Sequence, residues 1–130
     1  MRLFRAKCVP LDRRTDRRAV KGGRFIIPQD IANRYLWTFL GKPLRIGHDG
    51  KIIGCVLWVR IVDGWIHAYG IGWRLKYFQR APVSIEAQAG EYSGRLSEPN
   101  LKTITFSGVA IVFPGGKPAF DGTQLTVWPR

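Results

Sequence analysis

Cysteine, methionine and histidine are scarce in this chain: of 130 residues, two are cysteine, one is methionine and two are histidine. Cys8 and Cys55 lie far apart, and His48 and His67 fall at no spacing from them that a metal ion uses. No metal, cofactor or disulfide framework is therefore expected. Long apolar runs are missing too. None approaches the roughly 18 residues that a membrane-spanning helix needs, so no membrane role is expected. The N-terminal stretch MRLFRAKCVPLDRR lacks the apolar core of a secretory signal, which makes an intracellular setting the simplest reading. The catalytic signatures GxSxG, the P-loop and the dinucleotide fingerprint are also absent.

Acidic residues are few. Nine Asp and Glu face 21 Lys and Arg, for a net charge of +12, while 45% of the residues are apolar. The composition is that of one globular domain with a proper core rather than a disordered chain. The excess charge is uneven: residues 1–24 hold nine basic and two acidic side chains. Residues 1–23 read as a basic N-terminal strand and connector, and residues 24–130 as the barrel-like body. The arginines Arg13, Arg14, Arg17 and Arg18 are candidates for contacting an anionic partner, either DNA or an acidic protein surface. No aromatic residue lies between Leu11 and Arg24, so the segment lacks the stacking groups of a single-strand binder. A solvated, solubilising loop is the plainer reading of it.

Periodicity predicts a mostly-β chain with one clear helix. Alternation marks strands at Arg2–Val9, Lys42–Ile46, Lys51–Val62, Trp65–Ile71 and Val83–Ala89, with further strands at Arg24–Ile27, Leu101–Phe113 and Gln124–Val127. Pro28–Leu40 reads as the helix. Pro28 sits near its first turn, Asp30 favours the positive end and Gly41 stops it. Ile31, Tyr35, Leu36 and Phe39 form its apolar face. Lys51–Val62 is apolar on both sides and is expected in the interior of a sheet. Asp63-Gly64 predicts a two-residue turn that pairs Val62 with Trp65 and Arg60 with His67. Gly72–Arg80 fits a short helix or a packed loop, and Gly90–Asn100 reads as a polar loop. The expected architecture is a single-domain sheet, closed or nearly closed on itself.

Two places carry chemistry. Histidine moves protons near neutral pH, and His48 sits where a strand ends in the turn Gly47-His48-Asp49-Gly50. Ser84 lies inside a strand, and a serine becomes a nucleophile when a base takes its proton. The loop Pro114–Lys117 contains Gly115 and Gly116, whose backbone N–H groups are candidate oxyanion donors. His67 has a structural role open to it, as the cross-strand neighbour of Arg60.

The order GKPLRIGHDGKIIG, PVSIEAQAG and FSGVAIVFPGGKPAFDG resembles the prohead maturation serine proteases of tailed phages, including the Mu-like protease–scaffold type. Lys42-Pro43, His48 and Ile53-Gly54 match the family's histidine segment. Pro82-Val83-Ser84-Ile85-Glu86 matches its serine segment, and Gly108–Val112 with Pro118-Ala119 matches the strand and loop that follow. The likeness spans about Arg24 to Gly122. It implies a herpesvirus assemblin-like β-barrel, with Ser84 as nucleophile and His48 as general base. It also implies a capsid-maturation hydrolase that acts on scaffold and major capsid proteins in the host cytoplasm, within or on the prohead or virion. The chain is short for the family and lacks a scaffold-like helical extension. Where several relatives place an acidic residue it reads Phe106-Ser107-Gly108. The third catalytic member is therefore open among Glu86, Asp49 and His67. Beside the protease stand two other readings: an inactive protease-fold virion structural or decoration protein, and a basic nucleic-acid-binding barrel. Self-association is compatible with all three.

Overall fold

The computed structural model describes residues 1–17, 24–94, 100–112 and 116–129. Among the described residues nine strands run in chain order: β1 (Arg2–Pro10), β2 (Pro43–Ile46), β3 (Ile52–Val62), β4 (Trp65–Gly72), β5 (Val83–Ala89), β6 (Tyr92–Ser93), β7 (Asn100–Leu101), β8 (Ile104–Ile111) and β9 (Gln124–Trp128). Seven of them form one sheet in the order β5-β8-β2-β3-β4-β1-β9, and β6 pairs with β7 beside it. The fold is mostly β, with the sheet curled into a half-barrel.

Two features of the sequence bend the sheet. Leu57 is an extra residue in β3 opposite β4, and the resulting bulge sharpens the local twist. Next to it, Gly54 pairs with Gly72. A Cβ on either would stand 2.5 Å from a carbonyl oxygen of the neighbouring strand, so only glycine lets the backbones close up there. The bulge also changes the faces of β3. Val56 joins Val59 and Ile61 opposite the buried Gly70, Ala68 and Ile66, whereas strict alternation would have put Leu57 there. Curling brings the two edges of the sheet together at one end. Arg80 N donates to Leu125 O (2.8 Å), Leu125 N to Ala81 O (2.9 Å) and Val83 N to the Thr123 hydroxyl (3.1 Å). Inside the curl, Phe4, Phe39, Phe106, Leu44, Ile66 and Leu125 are fully buried, and the Phe39 and Phe106 rings stack at 4.8 Å.

The helix expected over residues 28–40 is α-helical only at α1 (Gln29–Tyr35) and tightens to a 3-10 turn at Leu36–Phe39. Tyr35, Trp37 and Thr38 hold an α-helix poorly. The Thr38 hydroxyl donates to Tyr35 O (2.7 Å) and accepts from Phe106 N (2.9 Å), which ties the turn to β8. Leu101–Phe113 is not one strand: a bend at Lys102-Thr103 separates β7 from β8. Gly90–Asn100 is not wholly loop, since Tyr92–Ser93 pairs with Asn100–Leu101. Arg24–Ile27 contributes only single bridges through Ile26. Gly72–Arg80 contains a 3-10 turn at Leu75–Phe78. β1 lies between β4 and β9, so residues 2–10 and the strands after residue 24 share one sheet.

Candidate functional site

β2 runs parallel to β8, and β8 antiparallel to β5. This places Arg45, Ala110 and Ser84 opposite one another in one row, in which Arg45 and Ser84 are half-buried and Ala110 is fully buried. Glu86 lies two residues along β5 on the same face, opposite Gly108. A bulge at Ser107 sits beside this pair and turns β8, so that Phe106 and Val109 both face the core. Gly108 leaves the space that the Glu86 carboxylate uses: a Cβ there would stand 3.0 Å from Glu86 Oε1 and 2.8 Å from Pro43 O.

His48 sits on the turn that leaves β2. Gly47 N donates to Ile111 O (2.9 Å) and Ile46 N to Lys51 O (3.0 Å), so the turn is anchored to both neighbouring strands. Gly47 adopts φ +74°, a conformation that suits glycine. From this turn the ring folds back along the sheet, and Nδ1 stands 3.6 Å from Glu86 Oε2. The other carboxylate oxygen, Oε1, is 3.5 Å from Arg45 Nε. Glu86 is mostly buried, at 19% side-chain exposure, whereas His48 is exposed by 42%. In register terms, the His48 backbone lies beyond the Ser84 row and Glu86 lies on its near side. Ser84 lies in the row between them, and no hydrogen bond joins Ser84 Oγ to the ring. Among the described residues Glu86 Oε1 is buried without a hydrogen-bond partner, as its 3.5 Å approach to Arg45 is an ion pair only.

The three candidates for a third member lie differently about His48. Glu86 meets His48. Asp49 is exposed in the turn and makes no ion pair with the ring. His67 belongs to another part of the sheet, on β4 between Lys7 of β1 and Arg60 of β3. Its pKa is lowered, first by burial and then by Arg5, Lys7 and Arg60. Gly116 is exposed, and Gly115 lies outside the described residues. Arg45 was not singled out by sequence reasoning. The signal was the alternation Leu44-Arg45-Ile46, which puts a lone cation on the face opposite two core residues.

Of the four arginines proposed for an anionic partner, Arg18 lies outside the described residues. Arg13 pairs with Asp16 (2.9 Å) and Arg17 with Asp121 (2.6 Å), while Arg14 donates to Arg24 O (3.4 Å). Asp16 also accepts from Asp121 N (2.7 Å), and chiefly this bond holds its carboxyl below the ordinary 3.8. Arg13 and Arg17 thus staple the segment against residues 118–121 while staying partly exposed.

Among the described residues no group of three or more His, Cys, Asp or Glu has the arrangement of a metal site, and no helix is long and apolar enough to cross a membrane. No family model matches the chain, and no curated protein matches its sequence.

Proposed function

We propose that the chain is a serine endopeptidase of the prohead-maturation kind, with Ser84 as nucleophile, His48 as general base and Glu86 as the carboxylate that orients His48. The observation that carries this reading is the 3.6 Å approach of Glu86 Oε2 to His48 Nδ1, on the sheet face that also holds Ser84. A carboxylate at Nδ1 fixes the tautomer with the proton there and leaves Nε2 free to accept one. Ser84 Oγ then attacks the scissile carbonyl carbon, and its proton passes to Nε2. The same proton goes to the departing amine as the acyl-enzyme forms. Water, deprotonated by Nε2, cleaves the ester and restores Ser84. Arg45 holds the far oxygen of Glu86, so the carboxylate keeps its place while His48 moves. The step this mechanism requires is rotation of the exposed His48 ring toward Ser84, because proton transfer needs a separation of about 2.6–3.2 Å or one bridging water. In this reading Gly115 and Gly116, which come after β8 in the sequence, would supply the oxyanion donors. The substrates of this reading are scaffold and major capsid proteins of a phage prohead in the host cytoplasm.

The absence of a Ser84–His48 hydrogen bond favours a second reading, a capsid-bound homologue that kept the fold without the activity. Co-expression with scaffold and capsid proteins separates the two. The protease reading predicts cleavage that disappears in both Ser84→Ala and His48→Ala at nearly unchanged melting temperature. Cleavage that survives in Ser84→Ala contradicts it, and a folded wild type that cuts neither protein supports the structural homologue.

A further inference from the structure

The outer face of β3, β4, β1 and β9 interleaves cations and aromatic rings within its rows. Register places Gln124, Lys7, His67 and Arg60 in one row across the four strands, and Thr126, Arg5, Tyr69 and Trp58 in the next. Each cation lies over a ring rather than against a carboxylate: Lys7 over Trp65 at 4.4 Å, Arg60 over Tyr69 at 5.5 Å and Arg5 over Trp128 at 5.7 Å. Among the described residues none of the three is in a salt bridge, and Arg5 Nε and His67 Nδ1 are buried without hydrogen-bond partners. The pKa of His67 is lowered first by burial and then by the positive charge of Arg5, Lys7 and Arg60, with Asp63 set against them. Trp58 is 61% exposed and lies under no cation of the described residues. At the other end of the face, Leu3, Ile71, Trp128 and Pro129 line an apolar groove of about 530 Å³.

We propose that this face binds single-stranded nucleic acid. Phosphates would meet Arg5, Lys7 and Arg60, a base would stack on Trp58, and the groove beside Trp128 would take another. Four strands about 4.8 Å apart give a path of roughly 14 Å between those two ends. Interleaved cations and aromatic surface are what an unpaired strand offers contacts to, because its bases present free faces between its charges. An acidic peptide would use the cations and leave Trp58 and the groove bare; a duplex hides its base faces. This site is distinct from the stapled N-terminal arginines and does not depend on the protease reading.

The test is fluorescence anisotropy of a labelled oligothymidylate titrated with the full chain over a range of salt concentrations. Three phosphate contacts at about 0.7 each predict that log affinity falls with log salt at a slope of about 2. Arg60→Gln should lower that slope by about 0.7. Trp58→Ala should weaken binding by about 5- to 150-fold, the equivalent of roughly 1–3 kcal/mol per stacked base, without changing the slope. Trp58→Phe should recover most of the loss, which a folding defect would not allow, and Ser84→Ala should bind as the wild type does. Absence of binding at low salt overturns the proposal. So does binding indifferent to Trp58→Ala and Arg60→Gln, or displacement by duplex DNA or polyglutamate as effective as by the oligothymidylate.

Discussion

A methyl group on Gly108 would stand 2.8 Å from Pro43 O and 3.0 Å from Glu86 Oε1, so Gly108→Ala is a direct probe of the carboxylate's seat. Overpacking of this kind costs about 1–3 kcal/mol. The expected outcome is a lowered melting temperature in thermal denaturation, and a cleavage rate reduced further than the stability loss explains. The cysteines differ at this scale as well. Cys8 is fully buried, its thiol donates to Ile66 O at 3.4 Å, and burial pushes its pKa up to about 12. Cys55 is half-buried. Because the thiolate is the reacting species, titration with a disulfide reagent should modify Cys55 alone in the native protein and both thiols once it is unfolded. Asp16 gives a pH dependence. Its folded pKa lies below the ordinary 3.8, mainly through the Asp121 N–H, so its contribution to stapling the segment is present above 3.8. That contribution is lost as the pH falls through the folded value. An NMR titration should find the Asp16 carboxyl still ionised where an ordinary aspartate is half protonated, and Arg13→Gln should move it back toward 3.8.

Among the elements, the β3–β4 hairpin shows how far a local pattern reaches. Asp63 and Gly64 adopt φ +51° and +76°, the pair of positive angles that the Asp-Gly dipeptide predicts for a tight hairpin turn. Val62 faces Trp65 and Arg60 faces His67, as that turn requires. Valine at position 64 would be forced into a strained backbone region worth about 1–3 kcal/mol. Gly64→Val should therefore melt lower than the wild type; an unchanged melting temperature would contradict the turn assignment. β5 was equally legible, because Ser84, Glu86 and Gln88 alternate with Val83, Ile85 and Ala87. The bulges were not. Leu57 and Ser107 each break a regular alternation, and nothing in an apolar run marks which residue will be squeezed out of the ladder. The end of α1 was misread for a related reason. Its apolar spacing continues to Phe39, but the Thr38 hydroxyl bonds to the Tyr35 carbonyl and to β8, and that contact is visible only in the fold.

At the scale of the whole molecule, function depends on strand order, and strand order joins segments far apart in sequence. His48 and Ser84 were legible as residue types at the end and the middle of predicted strands. The strands that carry Ser84 and lead to His48 flank β8 through the parallel pairing of β2 with β8 and the antiparallel pairing of β8 with β5, neither of which is signalled by a short connection. The same is true of the basic and aromatic face. Arg60 opposite His67 could be read from the hairpin, whereas Lys7 and Arg5 join them only because β1 adds to the far side of β4. The assignment of Glu86 as the orienting carboxylate likewise rests on the turn folding back over the sheet. The central claim is that Ser84 is a nucleophile activated by His48, and reaction with a fluorophosphonate probe followed by peptide mass spectrometry tests it without a known substrate. The account predicts an adduct on Ser84 in the wild type that is lost in His48→Ala and strongly slowed in Glu86→Gln, by up to about four orders of magnitude if the imidazole adopts the wrong tautomer. A wild-type chain that leaves Ser84 unmodified, or one that labels it equally well without His48, would contradict the account.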